Sequence, residues 1–231
     1  METYIKHNLS MVLNDISSAV IASSRVPGSV QLLAVSKRFS NEVIMEAYRC
    51  GQRIFGENRM QELEAKVPSL PNDIEWHLIG HLQSNKVNKA VELADYIHSV
   101  DSLKLLKRID RIAQEKGRKP KVLLEVNISG EDSKFGLTLD MIEECAKVAS
   151  ECKNLEFVGL MTMAPYDADD NVLKKIFALL HQTRDELQMK FNITLPELSM
   201  GMSSDYKIAI AEGATIVRIG TSIFGERDYS A

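Results

Sequence analysis

The stretch Leu32-Leu33-Ala34-Val35-Ser36-Lys37 decides how the rest of the chain is interpreted. Four apolar residues in succession, Leu32 to Val35, are typical of a strand that is buried on both faces, as in parallel sheets. If that sheet closes into a barrel, Lys37 lies at the carboxyl end of the first strand, where the active sites of such barrels are found. A lysine at a strand end also commonly reaches water, so the hexapeptide alone leaves both interpretations of Lys37 open.

Seven further short apolar stretches alternate with helical patterns, at roughly one strand–helix unit per 25 residues. This rhythm over 231 residues is typical of a (β/α)8 (TIM) barrel. A doubly wound open sheet is the alternative, but no Gly-x-Gly-x-x-Gly motif follows the first strand. We therefore predict an α/β fold, a (β/α)8 barrel whose strands cover residues 32–35, 53–55, 74–78, 96–98, 122–126, 155–160, 198–200 and 215–219.

An extra helix is predicted before the first strand. Its apolar residues recur at helical spacing and form one stripe: Ile5, Leu9, Val12, Leu13, Ile16, Val20 and Ile21. Residues 1–28 are expected to form this helix and its linker, and we expect the helix to pack as a lid over one end of the core. No shift in composition marks a second domain, so residues 1–231 are predicted to form a single barrel domain.

Composition and charge argue against a disordered protein and give no sign of a nucleic-acid-binding or membrane-binding one. Hydrophobic residues make up 45% of the chain and charged residues 26%, which allows a sizeable core and argues against disorder. The net charge of −4 gives no reason to expect nucleic acid or an anionic membrane as a partner.

The cysteines and the N-terminus indicate the compartment. Cys50, Cys145 and Cys152 are odd in number and lack the spacing of metal ligands, which is typical of reduced thiols in a cytosolic protein. The N-terminus does not resemble a signal peptide, and no stretch of about 18 apolar residues occurs. We expect a cytoplasmic protein.

An arginine interrupts the apolar strand near the C-terminus, in Thr215-Ile216-Val217-Arg218-Ile219. A guanidinium in a barrel strand needs an acceptor, because it cannot shed its charge. A neighbouring carboxylate would serve, and so would a ligand.

Gly220 and Thr221 follow this strand at a predicted helix start, and Ser203 and Ser204 hold the same place after the seventh strand. Free N–H groups and hydroxyls at such positions bind phosphate, and the loops after strands seven and eight are the recurrent phosphate site of these barrels. Ordinary helix caps are the alternative. A lysine, an arginine and a phosphate site at one mouth would together suit a phosphorylated aldehyde that condenses with an amine, such as pyridoxal 5′-phosphate (PLP).

Seven segments resemble the pyridoxal phosphate homeostasis proteins (the YggS/PROSC family), in the same order and spacing from about residue 30 to residue 227. These segments are LLAVSK (32–37), FGENRMQE (55–62), WHLIGHLQSNK (76–86), VNISGEDSKFGL (126–137), GLMTMAP (159–165), LSMGMSSDY (198–206) and VRIGTSIFGER (217–227). The resemblance implies the fold of the alanine racemase N-terminal barrel, the fold-type III class of PLP-binding proteins.

The resemblance also implies roles for residues on the first two strands and on the last. Lys37 is similar to the lysine that holds PLP as a Schiff base (an aldimine) in the family, and Asn58 to a residue beside the cofactor ring. Arg218 is similar to the arginine near the pyridine nitrogen, where it would keep that nitrogen unprotonated.

The remaining implied contacts are with the phosphate and the mouth of the barrel. Ser203, Gly220 and Thr221 match the phosphate-binding residues, with Ser204 as an addition. Met163 and Met200 are expected to line the mouth, although a methionine at a strand end is also often plain packing.

Three functions are compared. The first is a non-catalytic PLP-binding protein of vitamin B6 homeostasis, with PLP as its ligand and PLP-dependent apoenzymes as candidate recipients. The second is a PLP-dependent amino-acid racemase, which needs a second acid–base group that alanine racemase takes from a tyrosine in a C-terminal domain of its partner subunit. Tyr166 and Tyr206 do not match that role. The third is a barrel enzyme that acts on another phosphorylated metabolite through Lys37. We expect the first function and a monomer.

No metal site is predicted. His77 and His81 lie four residues apart, but the spacing crosses from a strand into a loop and no carboxylate or thiol is in register.

Overall fold

The computed structural model describes residues 4–131 and 135–225, and eight parallel strands in it close into a barrel. Each strand pairs with the next, and β1 pairs with β8 in the register Leu33 to Arg218. The prediction of a (β/α)8 barrel is confirmed, and the open sheet is excluded. The strands are β1 (Gln31–Val35), β2 (Ile54–Glu57), β3 (Glu75–Leu78), β4 (Tyr96–Val100), β5 (Lys121–Glu125), β6 (Glu156–Met161), β7 (Glu197–Ser199) and β8 (Ile216–Ile219).

Helices cover the outside of the barrel, and none in the described ranges is long and apolar enough to cross a membrane. Short 3-10 turns at Val67–Ser69 and Ser84–Lys86 accompany them. The helices are α1 (Tyr4–Ala22), α2 (Asn41–Arg49), α3 (Met60–Lys66), α4 (Val87–Leu93), α5 (Leu103–Lys116), α6 (Ile142–Glu151), α7 (Asp170–Phe191), α8 (Tyr206–Ala211) and α9 (Thr221–Phe224).

Local sequence explains where α5 begins and ends. The Ser102 hydroxyl accepts a hydrogen bond from the Leu105 N–H, which satisfies one of the donors that the first turn leaves free. Gly117 ends the helix in the left-handed conformation, with φ of 62°, which glycine adopts without strain.

The prediction that the N-terminal helix α1 packs as a lid over one end of the core is wrong. The helix packs against α2, α8 and α9 on the side of the barrel. The Tyr206 hydroxyl of α8 donates to Asp15, and the Asn8 amide donates to the carbonyl of Ile223. Ile5, Leu9, Val12, Ile16 and Val20 of the predicted stripe are buried, whereas Leu13 and Ile21 are exposed. The buried face of α1 packs against α2, α8 and the four-residue helix α9.

Side chains fill the barrel interior in two apolar groups. One consists of Leu33, Val35, Ile79 and Ile216, and the other of Tyr96, Leu123, Val158 and Met161. Alternate residues of a strand face opposite sides of the sheet, so the residues between these pack outward against the helices. Buried polar side chains of β3, β4, β7 and β8 also occupy the interior, and they become important below.

The three cysteines form no disulfide. Burial raises the pKa of both Cys145 and Cys152 to about 11, so these thiols are protonated and unreactive at neutral pH.

Candidate functional site

A cavity of about 610 Å³ opens at the carboxyl ends of the strands, between β1 and β2 on one side and β7 and β8 on the other. It contains eight of the nine residues predicted to contact a ligand. Its lining residues are Val35, Lys37, Asn58, Ile79, Met163, Tyr166, Met202, Ser203, Ser204, Arg218, Gly220, Thr221 and Ser222. A volume of this size lies within the range of small-molecule sites, roughly 300–1,000 Å³.

Lys37 reaches this cavity because of the two-residue alternation of β1. Leu33 and Val35 face the barrel interior, and Lys37 continues their face one step beyond the strand. Its side chain is half-buried and lines the cavity. The lysine and the turns at residues 203 and 220–221 therefore border the same space.

A buried polar cluster behind β1 and β2 holds the residues on either side of Lys37. We call it the lysine-flanking cluster; it consists of Ser36, Glu57, Glu62 and Lys66. The Lys66 ammonium donates to the Ser36 carbonyl at 3.0 Å, to Glu57 at 2.7 Å and to Glu62 at 2.9 Å. Glu62 also accepts from the backbone N–H of Arg38, at 2.6 Å. The backbone that precedes Lys37 and the backbone that follows it are therefore both anchored to α3.

Glu57 is the least solvated member of that cluster. Its side chain is fully buried, its Oε1 accepts from Ser36 and Lys66, and its Oε2 has no partner among the described residues. Burial raises the pKa of Glu57 to about 7, although Lys66 and Ser36 act in the opposite direction. The carboxyl is poised between its neutral and ionised forms at neutral pH.

Arg218 borders the cavity from below and is 4% exposed. Its acceptors among the described residues are the Ser199 hydroxyl, at 2.7 Å, and the Thr162 carbonyl, at 2.9 Å, rather than a neighbouring carboxylate. Burial lowers the pKa of Arg218 to about 10, and Asp205 and Glu125 oppose that shift. The guanidinium is therefore a cation at neutral pH, with further N–H groups beyond the two that donate to Ser199 and Thr162.

Two turns supply donors on the far side of the cavity. Gly220 and Thr221 lead from β8 into α9, whose first N–H groups have no partner within the helix. Ser203 and Ser204 lie in a turn in which the Met202 carbonyl accepts from the N–H groups of the two residues that follow them. The sequence predicts a helix that begins at Ser203, but α8 begins at Tyr206, because the Asp205 carboxylate accepts from the Met202 N–H and closes the preceding turn.

The two methionines differ in position. Met163 lines the cavity and is 39% exposed, whereas Met200 is fully buried in the core between sheet and helices. The expectation that Met200 lines the mouth is therefore not met. Met200 continues the outward face of Leu198 one residue beyond β7, and Met202, which the sequence motifs did not single out, lines the cavity instead.

Asn58 stands between two cavities. Its Oδ1 is buried and has no partner among the described residues, which leaves an acceptor for a ligand. A larger cavity of about 1140 Å³ lies beside the first and shares Asn58, but neither Lys37 nor Arg218 lines it. The smaller cavity is therefore the candidate site, because Lys37 and Arg218 both line it.

Tyr166 and Tyr206, the two tyrosines considered for the second acid–base group of a racemase, lie in different places. Tyr166 lines the cavity but is 90% exposed, so water surrounds its hydroxyl. The Tyr206 hydroxyl donates to Asp15 of α1, outside the cavity. His77 and His81 also separate: His77 is buried in the barrel, whereas His81 stacks on Phe135 and pairs with Asp101. Within the described ranges, no three potential metal ligands come together.

Comparison with known proteins shows the family. The family model of the alanine racemase N-terminal domain matches residues 5–228. The pyridoxal phosphate homeostasis protein of Aquifex aeolicus (strain VF5) is 43% identical over 222 residues, which cover 96% of this chain and 97% of that protein. The Homo sapiens protein of the same name is 44% identical over 216 residues, which cover 87% and 78%.

A solved structure agrees with these relatives. PipY of Synechococcus elongatus PCC7942 with PLP bound has a TM-score of 0.81 and 45% sequence identity, over 91% of this chain and all of that one. The likeness thus extends over nearly the whole barrel rather than over the site alone. The chain belongs to the family of pyridoxal phosphate homeostasis proteins, which carry the alanine racemase N-terminal domain.

Proposed function

We propose that this protein binds PLP in the cavity described above and acts in vitamin B6 homeostasis without catalysing a reaction. The observation that carries the proposal is the convergence of Lys37, Arg218 and the two donor turns on one cavity. The relatives named pyridoxal phosphate homeostasis proteins, and the PipY structure with PLP bound, support the same ligand.

The residues present fit PLP. The buried, unpartnered Oδ1 of Asn58 offers an acceptor, and the Arg218 guanidinium offers a donor below the cavity. Hydroxyls and N–H groups at the 203–204 and 220–221 turns suit a phosphate dianion, because they add donors without burying a second charge.

Each residue has a separate task. When bound, PLP supplies an aldehyde that condenses with a primary amine, and Lys37 supplies that amine. Ser203, Ser204, Gly220 and Thr221 would bind the phosphate. Asn58 and Met163 would border the ring, and Met200 would support this wall only from the core.

Arg218 favours holding the cofactor over using it. A guanidinium N–H donated to the pyridine nitrogen would keep that nitrogen unprotonated, which would weaken the ring as an electron sink. Proton transfer at a substrate carbon also needs a second, opposed acid–base group. The solvated hydroxyl of Tyr166 is a poor one, so a racemase is not favoured. PLP-dependent apoenzymes are the recipients we propose.

The N-terminal helix belongs to the same functional unit. Because α1 packs against α2, α8 and α9, we propose that residues 1–231 work as one PLP-binding domain. The cavity is lined by residues of this chain, and we propose a monomer.

An absorption spectrum and a reductive trap test the function. Protein incubated with PLP and dialysed should be yellow, and borohydride reduction should attach the cofactor to the peptide that contains Lys37. Lys37→Ala should abolish both signals, whereas Lys86→Ala, a lysine of the neighbouring cavity, should leave them unchanged. Equal labelling of both lysines would refute the assignment of Lys37. Rapid racemisation of alanine or serine would refute the non-catalytic role.

A further inference from the structure

A row of buried polar side chains crosses the barrel interior, from the amino end of β3 to Arg218. Glu75 Oε1 lies 3.0 Å from His77 Nε2, and His77 Nδ1 lies 2.8 Å from His98 Nε2. His98 Nδ1 lies 2.9 Å from the Ser199 hydroxyl, which accepts from Arg218 at 2.7 Å. The end of the row at Glu75 is the more solvated one, with a side chain 36% exposed.

The two ends determine the direction of every hydrogen bond between them. The hydrogen bond from His77 lowers the pKa of Glu75, so its carboxylate is ionised and can only accept. His77 must therefore donate from Nε2 and accept at Nδ1, which forces His98 to donate from Nε2 and to accept at Nδ1. The Ser199 proton then points to His98, and its lone pairs remain for Arg218, which can only donate.

Burial supports this assignment. His77 and His98 are fully buried, and desolvation lowers the pKa of each, so both imidazoles are neutral. Around His77, the carboxylates of Glu75, Asp95 and Glu197 favour the charged form and are outweighed. His77 and Arg218 further disfavour a charge on His98. A neutral imidazole donates from one nitrogen and accepts at the other, so hydrogen bonds that all run in one direction require both rings to be neutral.

We propose that His77, His98 and Ser199 form a hydrogen-bond relay that positions Arg218 toward the ring nitrogen of PLP and couples that site to Glu75 at the opposite end of the barrel. The proposal rests on the proposed function for its ligand, but not for the relay itself. These three are positioning residues, because none of them lines the cavity.

The relay makes Arg218 a fixed donor. If Ser199 were free to rotate, its proton could face the guanidinium and push it aside. Because the proton is committed to His98, the hydroxyl presents lone pairs to Arg218, while the Thr162 carbonyl holds a second N–H at 2.9 Å. Aligned hydrogen bonds polarise one another, so each strengthens the next. Removal of the Glu75 carboxylate should thus change the hydrogen bond that Arg218 offers to the cofactor.

Nitrogen NMR of the histidine side chains tests the relay without any cofactor. We expect the resonances of both His77 and His98 to show a protonated Nε2 and an unprotonated Nδ1 at neutral pH. A protonated Nδ1 on either ring, or an imidazolium, would overturn the proposal. This outcome does not depend on whether the protein binds PLP, so its failure is distinguishable from failure of the proposed function.

Variants at the two ends test the coupling. Glu75→Gln replaces an obligate acceptor by a group that can also donate, so we expect mixed tautomers at His98 and a shifted absorption band of bound PLP. Glu156→Gln, at the same end of β6 and exposed, is the matched control and should change neither. If Glu75→Gln leaves both the His98 resonances and the band as in the wild type, the coupling is refuted.

Ser199 offers a second test with a conservative rescue. Ser199→Ala removes the acceptor of Arg218, and we expect PLP retention to fall on the order of tenfold. Ser199→Thr keeps the hydroxyl and should restore both the retention and the absorption band. If Ser199→Ala keeps wild-type retention and an unshifted band, Ser199 does not position Arg218.

Discussion

Lys66→Met probes the cluster that anchors the backbone around Lys37. The substitution keeps the length and helix propensity of the side chain but removes the ammonium that donates to Ser36, Glu57 and Glu62. Glu57 is then left fully buried with the Ser36 hydroxyl as its remaining donor among the described residues. The loss of one partner from a buried ion pair is more damaging than the loss of both.

The magnitude follows from burial and from the pKa of Glu57. Removing one member of a buried pair costs about 3–5 kcal/mol. Without Lys66, the pKa of Glu57 rises above its present value of about 7, so the carboxyl can escape part of the cost by binding a proton. A raised pKa means that stability falls as pH rises through it. We expect a loss of about 3 kcal/mol at about pH 8 and a smaller loss at about pH 6.

Equilibrium unfolding in urea at both pH values measures this loss. Lys89→Met is the matched control, because Lys89 pairs with Glu92 at 3.4 Å on the surface of α4 and both side chains are about half exposed. Such a pair contributes less than about 1 kcal/mol. If the two variants are equally stable at both pH values, the cluster does not stabilise the fold and the reasoning about Glu57 is wrong.

A second substitution shows whether the damage comes from the charge. Glu57→Gln in the Lys66→Met background removes the carboxylate but keeps an oxygen that can accept from Ser36. We expect the double variant to be more stable than Lys66→Met at about pH 8, with a coupling of about 0.5–3 kcal/mol between the two sites. If the losses of stability from Lys66→Met and Glu57→Gln simply add, the damage comes from packing rather than from the buried charge.

The remaining predictions concern the phosphate-binding turns, a helix start, a second buried carboxyl and the oligomeric state. Thr221→Ala should weaken PLP retention by about 1–2 kcal/mol in equilibrium dialysis, the scale of one hydrogen bond to a charged group, and unchanged affinity would remove Thr221 from the phosphate site. Ser102→Ala should lower the free energy of unfolding in urea by about 1 kcal/mol, because the Leu105 N–H loses its acceptor, whereas an unchanged midpoint would show that water replaces the cap. Burial raises the pKa of Glu125 from 4.5 to about 7, so wild-type stability falls as pH rises through that window. Glu125→Gln should therefore gain up to roughly 3 kcal/mol over the wild type at about pH 8, as a pH series of urea titrations would show, and no gain would mean that Glu125 ionises freely. Light scattering should give a mass near 25.9 kDa, the monomer, and twice that mass would contradict the expectation.

Features of the fold that depend on local sequence patterns could be predicted from the sequence. The two-residue alternation of β1 indicates that Lys37 continues the interior face of Leu33 and Val35, and a guanidinium inside an apolar strand marks Arg218. By the same alternation, Met200 continues the outward face of Leu198 one residue beyond β7, which excludes Met200 from the cavity and leaves Ser199 facing inward.

The parts that depend on which elements meet were not predictable. His98 and Ser199 touch across the barrel although 101 residues separate them, and no local pattern states that β4 faces β7. The contacts of α1 with α2, α8 and α9 are likewise between elements that no local pattern brings together. An amphipathic stripe indicates that a helix has a buried face, but not what that face covers.

The two groups proposed to hold PLP are supported from opposite sides of the same sheet. The lysine-flanking cluster lies outside the strands, between β2 and α3, whereas the row from Glu75 to Ser199 lies inside the barrel. The two networks share no residue, so a change in one has no direct contact through which to disturb the other. A barrel permits this because each strand has an inner and an outer face, and charged groups on both can be satisfied at once. The backbone on either side of Lys37 and the guanidinium of Arg218 can therefore each be held by a buried network without either network crossing the cavity between them.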